Sequence, residues 1–176
     1  VIFTETKLIG AYLIDPEKIE DERGFFARTF CREEFGRYGL NPHVAQCSIS
    51  YNEQRGTLRG IHYQIPPCQE AKVVSCIRGS IYDVIIDLRP DSPTYGQWAS
   101  FQLRKDDPCM IYVPEGFAHG FQALEDQTVV HYQISEFYHP ECSRGVRWDD
   151  TTFDIAWPMF PTMISEKDKS FPDFVK

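Results

Sequence analysis

From Arg55 to Lys72 the chain packs two arginines, a histidine and a lysine, with Arg59 and His62 between the ends, into an otherwise acidic sequence of net charge −8. The core of this stretch reads Arg55-Gly-Thr-Leu-Arg-Gly-Ile-His-Tyr-Gln64. On a strand, a period of two places Gly60, His62 and Gln64 on one face and Arg59, Ile61 and Tyr63 on the other. Glycines here leave room for a ligand or another backbone to come close. An imidazole on the inner face of a sheet, with arginine and lysine nearby, suits a general base beside an anionic substrate. A buried, hydrogen-bonded histidine in a strand fits the same pattern, and both readings stand on this stretch alone.

The elements that must position these residues read mostly as strands. Leu8–Ile14 is an apolar run of strand character, followed by turn residues at 15–18 and 21–24. Gly24–Phe30 predicts a strand with Phe26, Arg28 and Phe30 on one face. Cys31–Tyr38 is the clearest helix, with Phe35 and Tyr38 at helical spacing and Gly39 as its stop. Val44–Tyr51 alternates loosely, and Pro66-Pro67 breaks the chain after the organising stretch. From Lys72 onward strands follow closely, over 72–78, 81–88, 97–103, 109–113, 121–124 and 128–134, divided by Gly- and Pro-rich turns. Many short strands at close spacing argue an all-β sandwich or barrel. The tail after Trp148 has no period and is expected to wrap the barrel. No repeat or composition break divides the chain, so residues 1–176 read as one domain.

Composition narrows the function classes. The 176 residues are 42% hydrophobic and 14% aromatic, enough for a core without metal or disulfide support. The negative charge argues against nucleic-acid and anionic-membrane partners. No apolar run is long enough to span a bilayer, and the N-terminus lacks the layout of a signal peptide. Cys31, Cys47, Cys68, Cys76, Cys109 and Cys142 form no CxxC pair. Scattered, core-like cysteines read as reduced and cytoplasmic, not as a disulfide frame or a zinc site.

Two half-motifs resemble the cupin jelly roll. Lys72 and Gly79 hold the spacing that in metal cupins separates a glutamate ligand from a closing glycine, and Pro114-Glu-Gly-Phe-Ala-His119 resembles the second motif. A lysine replaces the anionic ligand and no His-x-His occurs, so the implied pocket is metal-free. Over most of its length the chain resembles the dTDP-4-dehydrorhamnose 3,5-epimerase family. The matching segments include Arg23-Gly-Phe-Phe26, Leu58–Gln64, Tyr82–Arg89, Ser92-Pro-Thr-Tyr-Gly96, Val113–Phe121, Arg144-Gly-Val-Arg-Trp-Asp149 and Ser165-Glu-Lys-Asp168. The resemblance implies an all-β cupin jelly-roll barrel with short peripheral helices and a homodimer. It implies no cofactor and no metal. The implied substrate is a nucleotide-diphospho-4-keto-6-deoxy sugar epimerised at C3 and/or C5.

The same resemblance assigns roles. His62 matches the base, Asp168 the carboxylate that orients it, and Tyr132 the acid on the opposite face, with Tyr138 as a competitor for that role. Lys72 matches the cation near the ketone oxygen. Arg59 and Arg23 match phosphate contacts, Arg23 reaching the partner subunit's site, while Phe26, Gln46 and His119 match other substrate contacts. Taken singly, Asp168 also fits a solvated tail carboxylate, Tyr132 a core aromatic and Lys72 an edge-strand lysine. The family carries glutamate where Arg28 and Ser143 stand, asparagine where Ser48 stands, and lysine where Gln133 stands. A carboxylate accepts from thymine N3–H, whereas arginine donates. Arg28 and Ser48 therefore imply an altered base or sugar preference, toward GDP or CDP sugars. Alternatives are an epimerase of one carbon only, a 3,4-ketoisomerase, and a non-catalytic nucleotide-sugar-binding cupin. A metal-dependent dioxygenase fits least.

Overall fold

β-Branched and aromatic residues dominate the runs between the Gly and Pro turns, and these runs form the strands of the computed structural model, which describes residues 1–175. In chain order the elements are β1 (Ile2–Glu5), β2 (Tyr12–Asp15), β3 (Lys18–Asp21), β4 (Gly24–Ala27), α1 (Arg32–Arg37), β5 (Gln46–Asn52), β6 (Leu58–Gln64) and β7 (Lys72–Arg78). They continue as β8 (Ser80–Asp87), β9 (Trp98–Arg104), β10 (Met110–Val113), β11 (Phe117–Ala123), β12 (Thr128–Ile134), β13 (Ser143–Gly145) and α2 (Glu166–Lys169). The described residues are thus nearly all-β in architecture, with two short helices among them.

A six-stranded sheet runs β1-β2-β10-β7-β12-β5, and a five-stranded sheet runs β13-β6-β11-β8-β9. The two face each other across the main core. Val74, Cys76, Ile111, Val113 and Val130 come from the first sheet, and Ile81, Ile85, Leu103, Phe117 and Phe121 from the second. Full burial of a Val, Ile, Leu or Phe side chain contributes roughly 1.5–3 kcal/mol, so this interior holds much of the stability. Helix α1 covers the outer face of the six-stranded sheet, with Phe35 packed among Ile14, Val73, Met110 and Tyr112.

The tail covers the outer face of the five-stranded sheet. Phe153 and Val146 are buried against Ile61, Ile86 and Ala118, with Trp157 and Phe174 packed alongside. Trp98 Nε1 donates to the Phe153 carbonyl at 2.8 Å, and Gln122 Nε2 donates to the Met159 carbonyl at 2.9 Å. The turn after β8 is built on Asp87, whose side chain is fully buried. It accepts from Arg89 Nε at 2.9 Å, Ser92 Oγ at 2.5 Å and Thr94 Oγ1 at 2.7 Å.

Three expectations need correction. The apolar run Leu8–Ile14 is not one strand. Gly10 takes φ +86°, the Ala11 N–H bonds the Leu8 carbonyl at 3.1 Å, and β2 starts only at Tyr12. Leu8 and Ala11 are apolar because they plug the core, not because they pair. The strand expected over Gly24–Phe30 ends at Ala27, where its partner β3 runs out. The strict alternation of Arg59 and His62 onto opposite faces also fails. On β11, His119 pairs with His62 and Phe121 with Arg59, so three steps along β6 oppose two along β11. This bulge adds one residue to β6 and turns both side chains into the same interior.

The bulge depends on Gly60. It has φ +115°, and a Cβ there would stand 2.7 Å from Gly120 Cα and 2.9 Å from the His119 carbonyl oxygen. Gly60→Ala is expected to cost about 1–3 kcal/mol in denaturant unfolding, from backbone strain and overpacking. Gly36, in α1, has open space around its Cα. Gly36→Ala is expected to be neutral or to stabilise by up to about 1 kcal/mol. Equal effects of the two substitutions would contradict this account of the bulge.

Candidate active site

A cavity of about 610 Å³ opens between the two sheets. Ser48 and Ser50 of β5, Lys72 of β7 and Tyr132 of β12 supply one wall. Arg59 and His62 of β6 and His119 of β11 supply the facing wall, and the segment Met163–Asp168 closes one side. The tail is tied in place there. The Leu58 N–H donates to the Met163 carbonyl at 2.8 Å, and Thr162 Oγ1 donates to the Arg55 carbonyl at 2.6 Å.

That segment brings Asp168 to His62. Ser165 caps α2 by accepting the Asp168 N–H at 3.1 Å. The Asp168 carboxylate lies 2.7 Å from His62 Nε2 through one oxygen, and accepts the Gly60 N–H at 3.0 Å through the other. Its side chain is 6% exposed, whereas the imidazole is 42% exposed. Burial pushes the Asp168 carboxyl up, but the His62 hydrogen bond and charge, the Gly60 N–H and Ser165 outweigh it and hold it below the usual carboxylate range. Nε2 is engaged, and Nδ1 has no hydrogen-bond partner among the described residues, so Nδ1 is the ring nitrogen available for proton exchange. The Phe171 ring stands edge-on to His62 at 5.9 Å.

A second pair lies deeper. His119 Nε2 is 2.7 Å from Asp83 Oδ2, and both side chains are buried. Burial drives the Asp83 carboxyl upward, only partly offset by His119 and Lys72, and its Oδ1 has no partner among the described residues. The Tyr132 ring meets His119 edge-on at 6.3 Å, and its hydroxyl is 3.1 Å from Ser50 Oγ. Burial pushes the Tyr132 phenol up to about 12, against the Ser50 hydrogen bond and the Arg59 charge, so it keeps its proton through neutral pH.

Two of the cations are anchored individually. Lys72 Nζ pairs with Glu70 at 2.7 Å, both side chains little exposed. Arg59 Nε donates to Asn52 Oδ1 at 2.7 Å and its Nη2 to the Tyr51 carbonyl at 3.0 Å. Lys167 adds a third cationic side chain to the wall. Such a cavity suits a ligand with phosphate oxygens and a polarisable carbonyl.

Of the residues singled out in the sequence, His62, Asp168, Tyr132, Lys72, Arg59, His119 and Ser48 line this one cavity. Others do not. Arg23 and Phe26 lie on the β3–β4 ribbon, both exposed, with Arg23 bonded to Asp21. Arg28 is exposed just beyond β4. Tyr138 is 58% exposed and lies outside the wall, while its N–H donates to Gln46 Oε1 at 3.2 Å. Ser50, Glu70, Asp83 and Lys167 stand at the site without having been singled out. A carboxylate inside the apolar strand 81–88, away from the turn that follows Asp87, is the available signal for Asp83.

The family model described as dTDP-4-dehydrorhamnose 3,5-epimerase matches residues 5–176. The chain belongs to this family. The epimerase of that name from Methanothermobacter thermautotrophicus is 44% identical, over 96% of this chain and 92% of its own. The crystal structure of the Bacillus anthracis dTDP-4-dehydrorhamnose 3,5-epimerase, with TDP and PPi bound, matches with a TM-score of 0.94 and 37% identity, covering 98% of this chain and 99% of that one. A 3′-monoepimerase from Streptomyces bikiniensis in complex with dTDP-quinovose matches with a TM-score of 0.87 and 33% identity, covering 96% and 85%. Within this epimerase family member, the segments quoted from the sequence divide by location. The Leu58–Gln64, Val113–Phe121 and Ser165–Asp168 segments each supply the cavity wall, while Asp87, Arg89, Ser92 and Thr94 hold a turn together.

The Asp168 pair has a pH signature. A carboxyl held low in the folded state contributes stability above its unfolded pKa, and this is lost as pH falls through the folded value, from about pH 5 downward. Asp168→Asn is expected to destabilise the protein at neutral pH, with the gap to wild type narrowing as pH drops. Chemical denaturation across that range checks it. A gap that stays constant would rule out a charged Asp168 as the stabilising species.

Proposed function

We propose that this chain epimerises a thymidine-diphospho-4-keto-6-deoxy sugar at C3 and C5. The observation that carries the reading is a single cationic cavity holding an aspartate-paired imidazole on one wall and a protonated phenol on the other. The C–H bonds beside a ketone are acidified, so epimerisation needs a base, an acid on the opposite face and a donor or cation at the oxygen. His62 removes the proton, with Asp168 fixing the tautomer and stabilising the imidazolium. Lys72 stabilises the enolate oxygen, its charge tempered by Glu70. Tyr132 returns a proton to the other face. Its high pKa suits this, because the enolate carbon is a stronger base than the phenolate that remains. Tyr138 is the weaker candidate, since it stands outside the cavity wall. Arg59 binds diphosphate through the guanidinium edge left free by Asn52 and Tyr51, and His119 donates to the sugar. None of these steps calls on a cofactor.

The assembly in this reading is a homodimer of cupin jelly rolls, each formed by residues 1–176, in the cytoplasm. Its support is the exposed β3–β4 ribbon, where Ile19, Phe25 and Phe26 are 68%, 57% and 67% exposed. Covering that ribbon with a second copy would carry Arg23, Phe26 and Arg28 toward the other copy's cavity. Gln46, with Ser48, would serve the nucleotide or sugar side.

Proton exchange in D2O, followed by NMR on dTDP-4-keto-6-deoxyglucose, tests the mechanism. Wild type is expected to incorporate deuterium at both C3 and C5, and His62→Ala at neither. Tyr132→Phe is expected to lose roughly 10²–10⁴-fold in turnover. Wild-type exchange by His62→Ala would eliminate this mechanism, and exchange at one carbon only would assign a monoepimerase.

A second reading concerns the base. Ser48 stands on the cavity wall where the family carries asparagine, and Arg28 replaces a glutamate. Calorimetry with dTDP, CDP and GDP separates the two. Tightest binding of dTDP is expected, and preference for CDP or GDP would move the substrate to those sugars.

A further inference from the structure

Gln64 lies on the same strand as His62, two residues on, and is buried. Its Nε2 donates to the Cys68 carbonyl at 2.8 Å and to the Phe137 carbonyl at 3.1 Å, and its Oε1 accepts the His139 N–H at 2.7 Å. One side chain thereby joins the turn after β6 to the segment between β12 and β13. Across that junction, Cys68 Sγ, a ring nitrogen of His139 and a carboxylate oxygen of Glu141 lie within 4.8 Å of one another. The Ile65 N–H donates to the Cys142 carbonyl at 3.0 Å, which sets Cys142, buried like Cys68, against the same turn. His139 Nδ1 is 3.2 Å from Glu141 Oε1. A thiol, an imidazole and a carboxylate from segments more than 70 positions apart in sequence therefore meet at one point, with Cys142 next in the chain to Glu141.

We propose that Cys68, His139, Glu141 and Cys142 form a binding site for a divalent transition-metal ion of the zinc class. Two sulfurs, one nitrogen and one oxygen make a borderline-soft donor set that suits four-coordinate tetrahedral geometry. The ligand atoms of a tetrahedral zinc ion stand roughly 3.5 Å apart, so the cluster must close by about 1 Å. Glu141 is exposed and His139 half-buried, so both can turn inward, while the two loops are already fixed by Gln64. Arg144 holds the backbone there, its Nη1 donating to the Glu141 and Ser143 carbonyls at 2.9 Å. On binding, each thiol passes its proton to solvent as its sulfur–metal bond forms, with no change of oxidation state. The catalytic cavity offers no equivalent set. Its two histidines are engaged by Asp168 and Asp83, and three cationic side chains share its wall. An ion at this junction would pin the segment that carries Tyr138 and, through it, the end of β5.

The test uses the full chain, reduced and stripped with a chelator, and titrated with Co2+ as an optical probe. Expected are thiolate-to-cobalt charge-transfer absorption and tetrahedral d–d bands that saturate at one equivalent, both displaced by Zn2+. Zn2+ should also raise the thermal midpoint. Cys68→Ser should abolish the charge-transfer band or sharply reduce it, while Cys47→Ser, at an exposed strand position, should leave it intact. Glu141→Ala is at the surface and keeps the fold readable should the cysteine variant not fold. It is expected to weaken Co2+ binding about tenfold or more, since even outer-shell partners are worth 10–100-fold. Absence of a thiolate band in the reduced wild type would overturn the site, as would an undiminished band in Cys68→Ser or unchanged affinity in Glu141→Ala. Formation of a Cys68–Cys142 disulfide in the presence of stoichiometric Zn2+, seen by non-reducing mass spectrometry, would overturn it too.

Discussion

The carboxylate of Asp168 is the joint on which the site depends. One oxygen meets the imidazole of His62 and the other meets the Gly60 N–H, so a single side chain fixes both the ring and the backbone of the bulge beside it. A carboxylate this buried keeps its charge only when its oxygens are paired. The pairing is long-range, across 106 residues, and requires that the tail be delivered accurately. That delivery is done by apolar packing. Phe153, Trp157 and Phe174 sit on the outer face of the five-stranded sheet, Trp98 and Gln122 hold the tail's carbonyls, and the chain reaches the mouth of the cavity only after crossing that face. The orientation of one imidazole is thus linked to a hydrophobic cluster on the far side of its own sheet.

The bulge has a second consequence. In a regular strand, residues 59 and 62 would face opposite ways. The extra residue on β6 brings a guanidinium and an imidazole to one wall, and the two glycines at 60 and 120 let the strands close where it happens. Three of the polar side chains on these walls are held by a local partner. Lys72 has Glu70, Arg59 has Asn52 and the Tyr51 carbonyl, and His119 has Asp83. Such partners fix geometry before a ligand arrives, which reduces the reorganisation that a charged substrate would otherwise require.

Much of this was readable in the sequence, for identifiable reasons. Strands 72–78, 81–88, 97–103 and 128–134 were placed to within a residue or so, because β-branched runs there end at Gly, Pro or Asp turns. The helix at 32–37 was found from the spacing of Phe35 and the Gly39 stop. β13 and α2 were not, since three and four residues carry no detectable period. Leu8–Ile14 misled because burial of a core plug and pairing in a strand use the same residues. At the site, His62 could be singled out from local pattern, but its partner could not. Asp168 lies in a tail without periodicity, and only resemblance to a family connected it to His62. Arg23, Phe26 and Arg28 show the converse limit, because resemblance named them while a single chain leaves them on an exposed ribbon.

The two histidine–aspartate pairs are alike in length, 2.7 Å each, yet they differ in what surrounds them. His62 is 42% exposed, and its carboxylate is held low by hydrogen bonds and the facing charge. His119 is 5% exposed, and its carboxylate is driven up by burial with one oxygen unpartnered. A base in the proposed reaction must exchange its proton with substrate and solvent and must be stabilised when it becomes cationic. Only the first environment offers both, through access at the cavity and a partner that stays charged. The second is closed to solvent and its carboxyl is driven upward by burial, which suits a fixed donor beside Tyr132 rather than a shuttle. In the proposed reaction the division of labour between two chemically identical pairs would therefore follow from burial, the shallow pair turning over protons and the deep one holding position.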